Sequence, residues 1–146
     1  MDESINLLAK IKQEFDCKEV DLRTYSPLTL AFLGDCVYDI IIRTVVVERG
    51  NRAPQGLHKK KSYLVNAKTQ KEIIESIQDL LTPEEEDIYR RGRNAKSYTT
   101  AKNASVGDYR KATGFEALLG YLYLDDNMDR VLFLVKEGLK RIGAEV

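Results

Sequence analysis

The stretch PLTLAFLGDCVYDIIIRTVVVE, Pro27 to Glu48, constrains this chain more than any other. Its second half, IIIRTVVV, is β-branched and favours a strand by propensity. Yet the run carries no turn signal and is several times longer than a typical strand of about 5–6 residues. The charges that interrupt it, Asp35, Asp39 and Arg43, fall at i, i+4 and i+8. That spacing is one face of a helix, with Asp39 placed to pair with Arg43. Three charges exclude a membrane span. Ser26 is an N-cap and Pro27 an N1 proline. A helix apolar almost all round must be central to its domain.

A second run, ATGFEALLGYLYL, predicts another such helix over Ala112–Leu124, ended by Asp125-Asp126-Asn127. Thr82-Pro83-Glu84-Glu85 is a capping box opening a helix that passes Ile88 and Tyr89 to Arg90 and Arg91, with Gly92 as its stop. Helices are also predicted over Gln55–Leu64 and Ala67–Leu81, broken near Val65-Asn66, and over Met128–Ile142, which is amphipathic. Arg93 to Tyr109 reads as a loop. No hairpin pattern occurs, so the expected class is all-α, in a single domain spanning residues 1–146.

The two cysteines, Cys17 and Cys36, make no disulfide framework, and Cys36 reads as a small core residue; both suit a reducing cytoplasm. The start, MDESINLLAK, lacks the pattern of a secretion signal. Net charge is zero, so a polyanionic partner would have to be met by local clusters of charge.

Each apolar helix carries an acid without an evident partner: Asp35 in the first, Glu116 in the second. A buried carboxylate is costly unless paired. If the two helices cross and the acids face one another, a proton or a cation must relieve their repulsion. A hard divalent ion with oxygen ligands, magnesium with manganese as its substitute, is one solution. Separate pairing, of Glu116 with Lys111 or Arg110, is the other. One histidine and two cysteines without ligand spacing cannot close a zinc site. The lone His58 stands in a basic run, His58 to Lys61. A second basic segment, RRGRNAKSYTTAKN from Arg90 to Asn103, contains no acid and interleaves cations with hydroxyls and amides, a mixture suited to phosphates and sugars.

Three motifs add to this. LAFLGDCVYD resembles the signature of the ribonuclease III family, a Leu-Gly-Asp within an apolar helix. GLHKKKSYLVNAKT resembles that family's following helix, and TGFEALLGYLYLD its second acidic segment. They occur in family order from Leu30 to Asp125. The chain's length leaves no room for the double-stranded-RNA-binding domain that usually follows. With RGRNAKS, Arg91 to Ser97, the chain resembles the Mini-ribonuclease III branch, whose catalytic domain stands alone.

The resemblance implies an all-α ribonuclease III fold and a cytoplasmic homodimer. It implies an endoribonuclease that cuts double-stranded RNA, matures 23S ribosomal RNA precursor and leaves 5′-phosphate ends. It places the signature acids on Asp35 and Glu116, as magnesium ligands and catalytic residues. Two further acids of full-length family members fall here on Ala31 and Thr113. Asp39, one turn beyond Asp35, has two readings, help to the site through water or the pair with Arg43, and the pair is the favoured one. Expected RNA contacts are His58, Lys59, Arg91, Arg93, Asn94, Lys96 and Ser97. A non-catalytic RNA-binding helical module is the competing reading.

Overall fold

A computed structural model describes residues 6–50, 54–95, 106–144 and 146, the side chains at 58 and 60 excepted. Seven α-helices lie among the described residues: α1 Leu7–Glu14, α2 Pro27–Glu48, α3 Pro54–Val65, α4 Ala67–Ser76, α5 Pro83–Asn94, α6 Val106–Leu124 and α7 Met128–Arg141. No strand occurs among them, so the fold is all-α.

The two apolar runs form the axis of the molecule. Helices α2 and α6 share the most extensive contact, α5 and α4 pack on α6, α7 closes over α4 and α6, and α3 leans on α2. From Ala112 to Leu122 every residue of α6 is buried except Glu116, which is half-buried. Ile42, Phe115, Leu118, Ile73 and Leu134 are fully enclosed where these helices meet. Such burial stabilises by about 1.5–3 kcal/mol per large apolar side chain.

The expected helix starts hold. The Ser26 hydroxyl accepts from the Thr29 amide at 3.1 Å. The Thr82 hydroxyl accepts from the Glu85 amide at 3.1 Å while Glu85 Oε1 accepts from the Thr82 amide at 3.0 Å, completing the capping box. Asp39 pairs with Arg43 at 2.8 Å.

Other expectations change. Helix α3 runs from Pro54 to Val65, one residue longer at each end than predicted. Gly92 does not stop α5, which continues to Asn94. A Cβ there would stand 2.8 Å from that of Ala117 and 2.9 Å from Gly114 Cα, so Gly92 serves close packing on α6. Residues 93–94 and 106–109 are therefore helical rather than loop, and residues 96–105 lie outside the described set. Helix α4 ends at Ser76 and is followed by a 3₁₀ turn, Gln78–Leu80, short of one helix to Leu81. Helix α1 was not anticipated, because its apolar stripe is narrow and buries only Leu8. Cys36 is exposed, not core, since α2 turns that face outward.

Candidate active site

The Leu-Gly-Asp of α2 is explained by the crossing of α2 and α6. A Cβ on Gly34 would lie 1.7 Å from the Glu116 carbonyl oxygen, and one on Gly120 would lie 2.0 Å from the Leu30 carbonyl oxygen. The backbones touch glycine to glycine, at an interaxial distance no larger residue permits. Glycine inside a helix costs about 1 kcal/mol. Here that cost is the condition for bringing Asp35, one residue past the contact, beside Glu116, whose own backbone is the contact.

Asp35 is exposed and Glu116 half-buried, so the expectation of a withdrawn carboxylate holds for Glu116 and is corrected for Asp35. Burial, then the charge of Asp35, then contact with the Asp35 side chain push the Glu116 carboxyl up to about 8, while the Gln70 amide opposes the rise. The two acids therefore feel one another across the helix crossing. Among the described residues neither has an ion pair. Lys111, one candidate partner for Glu116, instead binds Glu75 at 2.5 Å. No group of three or more histidine, cysteine or acidic side chains gathers among the described residues, so the two carboxylates form a pair and not a larger cluster. Ala31 and Thr113 are both buried and non-acidic.

Two polar side chains that the sequence reading did not single out close the inner wall. Tyr38, one turn beyond Asp35, donates to the Leu64 carbonyl at 2.6 Å. Burial, with the Glu116 charge adding to it, holds its phenol well above the ordinary range. Gln70 of α4 donates from Nε2 to the Val65 carbonyl at 2.8 Å. Thr69 donates to the Tyr63 carbonyl at 2.8 Å. Three consecutive carbonyls at the end of α3, which a helix terminus leaves without partners, are thus each bound by a buried or part-buried side chain. The signal for Gln70 was present: it stands on the same face as Thr69, Ile73, Ile74 and Ile77, a polar residue at a core position.

The basic residues are divided. Arg91 is exposed at the end of α5, Arg93 lies 5.6 Å from the centre of the Tyr89 ring and donates to Asn94 Oδ1 at 3.2 Å, and Arg90 pairs with Asp87 at 2.5 Å. Lys59 is exposed on α3. The His58 side chain, Lys96 and Ser97 lie outside the described residues.

Comparison with known proteins gives a consistent result. The Ribonuclease III domain matches residues 28–127. A Mini-ribonuclease 3 of Thermoanaerobacter sp. is 55% identical over 106 residues, 73% of this chain and 75% of the relative. The Mini-ribonuclease 3 of Enterococcus faecalis is 43% identical over 125 residues, 84% of this chain and 95% of the relative. A crystal structure of protein FN1578 from Fusobacterium nucleatum superposes with a TM-score of 0.74 at 33% identity, covering 84% of this chain and 98% of that one.

Proposed function

The chain belongs to the ribonuclease III family, in its Mini-ribonuclease 3 branch, and is an endoribonuclease; on that premise we propose that Asp35 and Glu116 form its catalytic centre by holding a divalent metal ion. The observation that carries the reading is the pairing itself. Two carboxylates are brought together at a glycine contact, without an ion-pair partner among the described residues, and one of them resists ionisation. An all-oxygen donor set of two carboxylates suits magnesium or manganese, which keep several of their own waters.

When bound, such an ion supplies an acidified water and neutralises charge developing on the phosphate. The chain's residues supply the rest. Asp35, exposed, meets the solvent side where a phosphodiester arrives, and Glu116 anchors the ion from the half-buried side. Tyr38 and Gln70 exclude bulk water behind Glu116. The substrate is double-stranded RNA, read by shape through phosphates and 2′-hydroxyls because A-form grooves hide most base identity. Lys59, Arg91, Arg93 and Asn94 are the proposed contacts, with His58, Lys96 and Ser97. Products carry 5′-phosphate and 3′-hydroxyl ends, and 23S ribosomal RNA precursor is the proposed substrate in the cell, on the resemblance to the branch.

We propose a homodimer built on the outer stripe of α2, where Phe32 is 80% exposed, Ile40 60% and Val47 54%. Val37, on the other side of the same helix, is buried and belongs to the core. A twofold axis would present one site to each strand of a duplex. No helix among the described residues is long and apolar enough to cross a membrane, and the proposed location is the cytoplasm.

The test is incubation of a long RNA duplex with the protein and magnesium, with chelator, and with the Asp35→Asn variant. Cutting is expected only with the first. Cutting that survives the chelator, or a variant that keeps more than about a hundredth of wild-type cutting, would overturn the metal-holding assignment.

A further inference from the structure

Gln70 is 3% exposed, and its Oε1 has no hydrogen-bond partner among the described residues. Buried polar atoms are nearly always satisfied, so an orphan asks for a reason. A structural cap for the end of α3 does not supply one. Tyr38 and Thr69, which bind the two neighbouring carbonyls, achieve it with a single hydroxyl each. A residue needed only to satisfy Val65 would not bury a second oxygen without a donor. The Nε2–Val65 bond also fixes which end of the amide faces the α3–α4 joint.

Helix α4 packs against α6, and the Gln70 side chain is a hydrogen-bonding neighbour of Glu116 that favours its ionised form. An amide there is a neutral group in a place where a third carboxylate would add repulsion and an apolar residue would leave Glu116 unsupported. We infer that Gln70 is a positioning residue for Glu116: anchored on Val65, its amide holds the Glu116 carboxylate in the orientation in which it and Asp35 share a cation. Oε1 is then the surplus acceptor of a side chain kept for its reach to Glu116, and water retained by a hard cation is a donor of the kind it lacks. The inference rests on the reading of Asp35 and Glu116 as the metal-holding pair and adds a residue that reading does not require.

The test reads manganese binding by electron paramagnetic resonance, without RNA, beside thermal melting with and without the ion. Gln70→Met keeps length and burial and removes the amide. Its manganese affinity is expected to fall about 10- to 100-fold, as for other residues that orient a metal ligand. Its kcat should fall while KM for duplex RNA holds. Gln70→Glu places a third carboxylate beside the pair. It should melt lower than wild type without manganese and recover with saturating ion, since a ligand that binds only the folded state stabilises it. Wild-type manganese affinity in Gln70→Met would overturn the inference. So would a Gln70→Glu protein destabilised equally with and without the ion, the behaviour of a purely structural cap. If Gln70→Met does not fold, the ion-dependent recovery of Gln70→Glu decides. Failure of the underlying reading looks different: wild-type protein binds no manganese, or Glu116→Gln binds it as tightly as wild type, and both readings then fall together.

Discussion

Glu85 and Glu116 are both carboxylates withdrawn from solvent, on helices α5 and α6 that pack against one another, and they end in opposite electrostatic states. Glu85 is 5% exposed and fully partnered. Arg130 grips it from two nitrogens, each at 2.9 Å, and also donates to the Leu80 carbonyl at 2.7 Å, while the Thr82 amide adds 3.0 Å. Burial pushes the Glu85 carboxyl up, but Arg130 and Thr82 outweigh it and hold it below the ordinary range. Glu116 is raised to about 8, by burial first and by the charge of Asp35 second, and among the described residues no cation pairs with it to reverse the rise. The fold of this chain thus uses one acid to lock α5 to α7 and leaves another short of a cation where α2 meets α6. Partnering, more than burial, separates a structural carboxylate from a candidate ligand.

The largest expected effect tests this division by function. Glu116→Gln keeps volume and removes charge; cleavage of duplex RNA should fall by at least about 100-fold, given the several kcal/mol expected of a metal centre. Thermal stability without magnesium should hold or rise, because repulsion from Asp35 is relieved. A Glu116→Gln protein that cuts normally but melts early would put Glu116 in the same structural class as Glu85 and erase the comparison.

Glu85→Gln should do the reverse. Leaving Arg130 without its acid costs about 2–4 kcal/mol, at the lower part of the range for a broken buried pair because the Arg130 side chain is a quarter exposed. Unfolding in urea should show that loss, while cleavage per folded molecule is retained.

The two acids should also bend the stability–pH curve in opposite directions. Between the ordinary value of 4.5 and about 8, folded Glu116 holds a proton that the unfolded chain releases. Its contribution is therefore full below 4.5 and lost as pH climbs toward 8. Without metal, the stability of wild type relative to Glu116→Gln should fall across that window, and magnesium should remove the fall, since a ligating carboxylate must be deprotonated. Glu85, held low, contributes above 4.5 and loses its contribution as the solution becomes more acid. The gap between wild type and Glu85→Gln should accordingly close only on acidification. Denaturant titrations at several pH values measure both gaps, and a gap to Glu116→Gln that stays constant from pH 5 to 8 would contradict the raised Glu116.

How far the sequence carried this picture depended on what kind of signal each residue gave. Charges in apolar helices stand out by contrast, so Asp35, Glu116 and the Asp39–Arg43 pair could be read directly. The Ser26 and Thr82 caps are local chemistry and were equally legible. What escaped reading depends on a second helix. Gly92 looks like a helix stop until α6 is laid against it, and the exposure of Asp35 and Cys36 follows from which face of α2 meets α6. The core register of Gln70 was legible from the isoleucines around it, but its nearness to Glu116 was hidden for the same reason. A glutamine on a helix is ordinary; a glutamine at a core position of α4, opposite Glu116, is not.

The smallest effect approaches the comparison from the side of the cations. Arg130 is committed to Glu85, whereas Arg93 stacks on Tyr89 with no ion pair among the described residues. A committed cation has little charge to offer RNA; an uncommitted one that touches a phosphate releases condensed counterions, and log affinity then falls linearly with log salt. Removing one such contact should reduce the magnitude of that slope by about one unit. Arg93→Ala and Lys96→Ala are therefore expected to weaken duplex binding modestly, flatten the salt dependence and leave the metal requirement untouched. Lys136→Ala, exposed on α7, is the control and should do neither. Catalysis is blocked by calcium or by Glu116→Gln so that binding alone is titrated. Slopes unchanged in both Arg93→Ala and Lys96→Ala would mean that an uncommitted arginine on α5 is no nearer to RNA than Arg130 is, and duplex contact would pass to the basic run from His58 to Lys61.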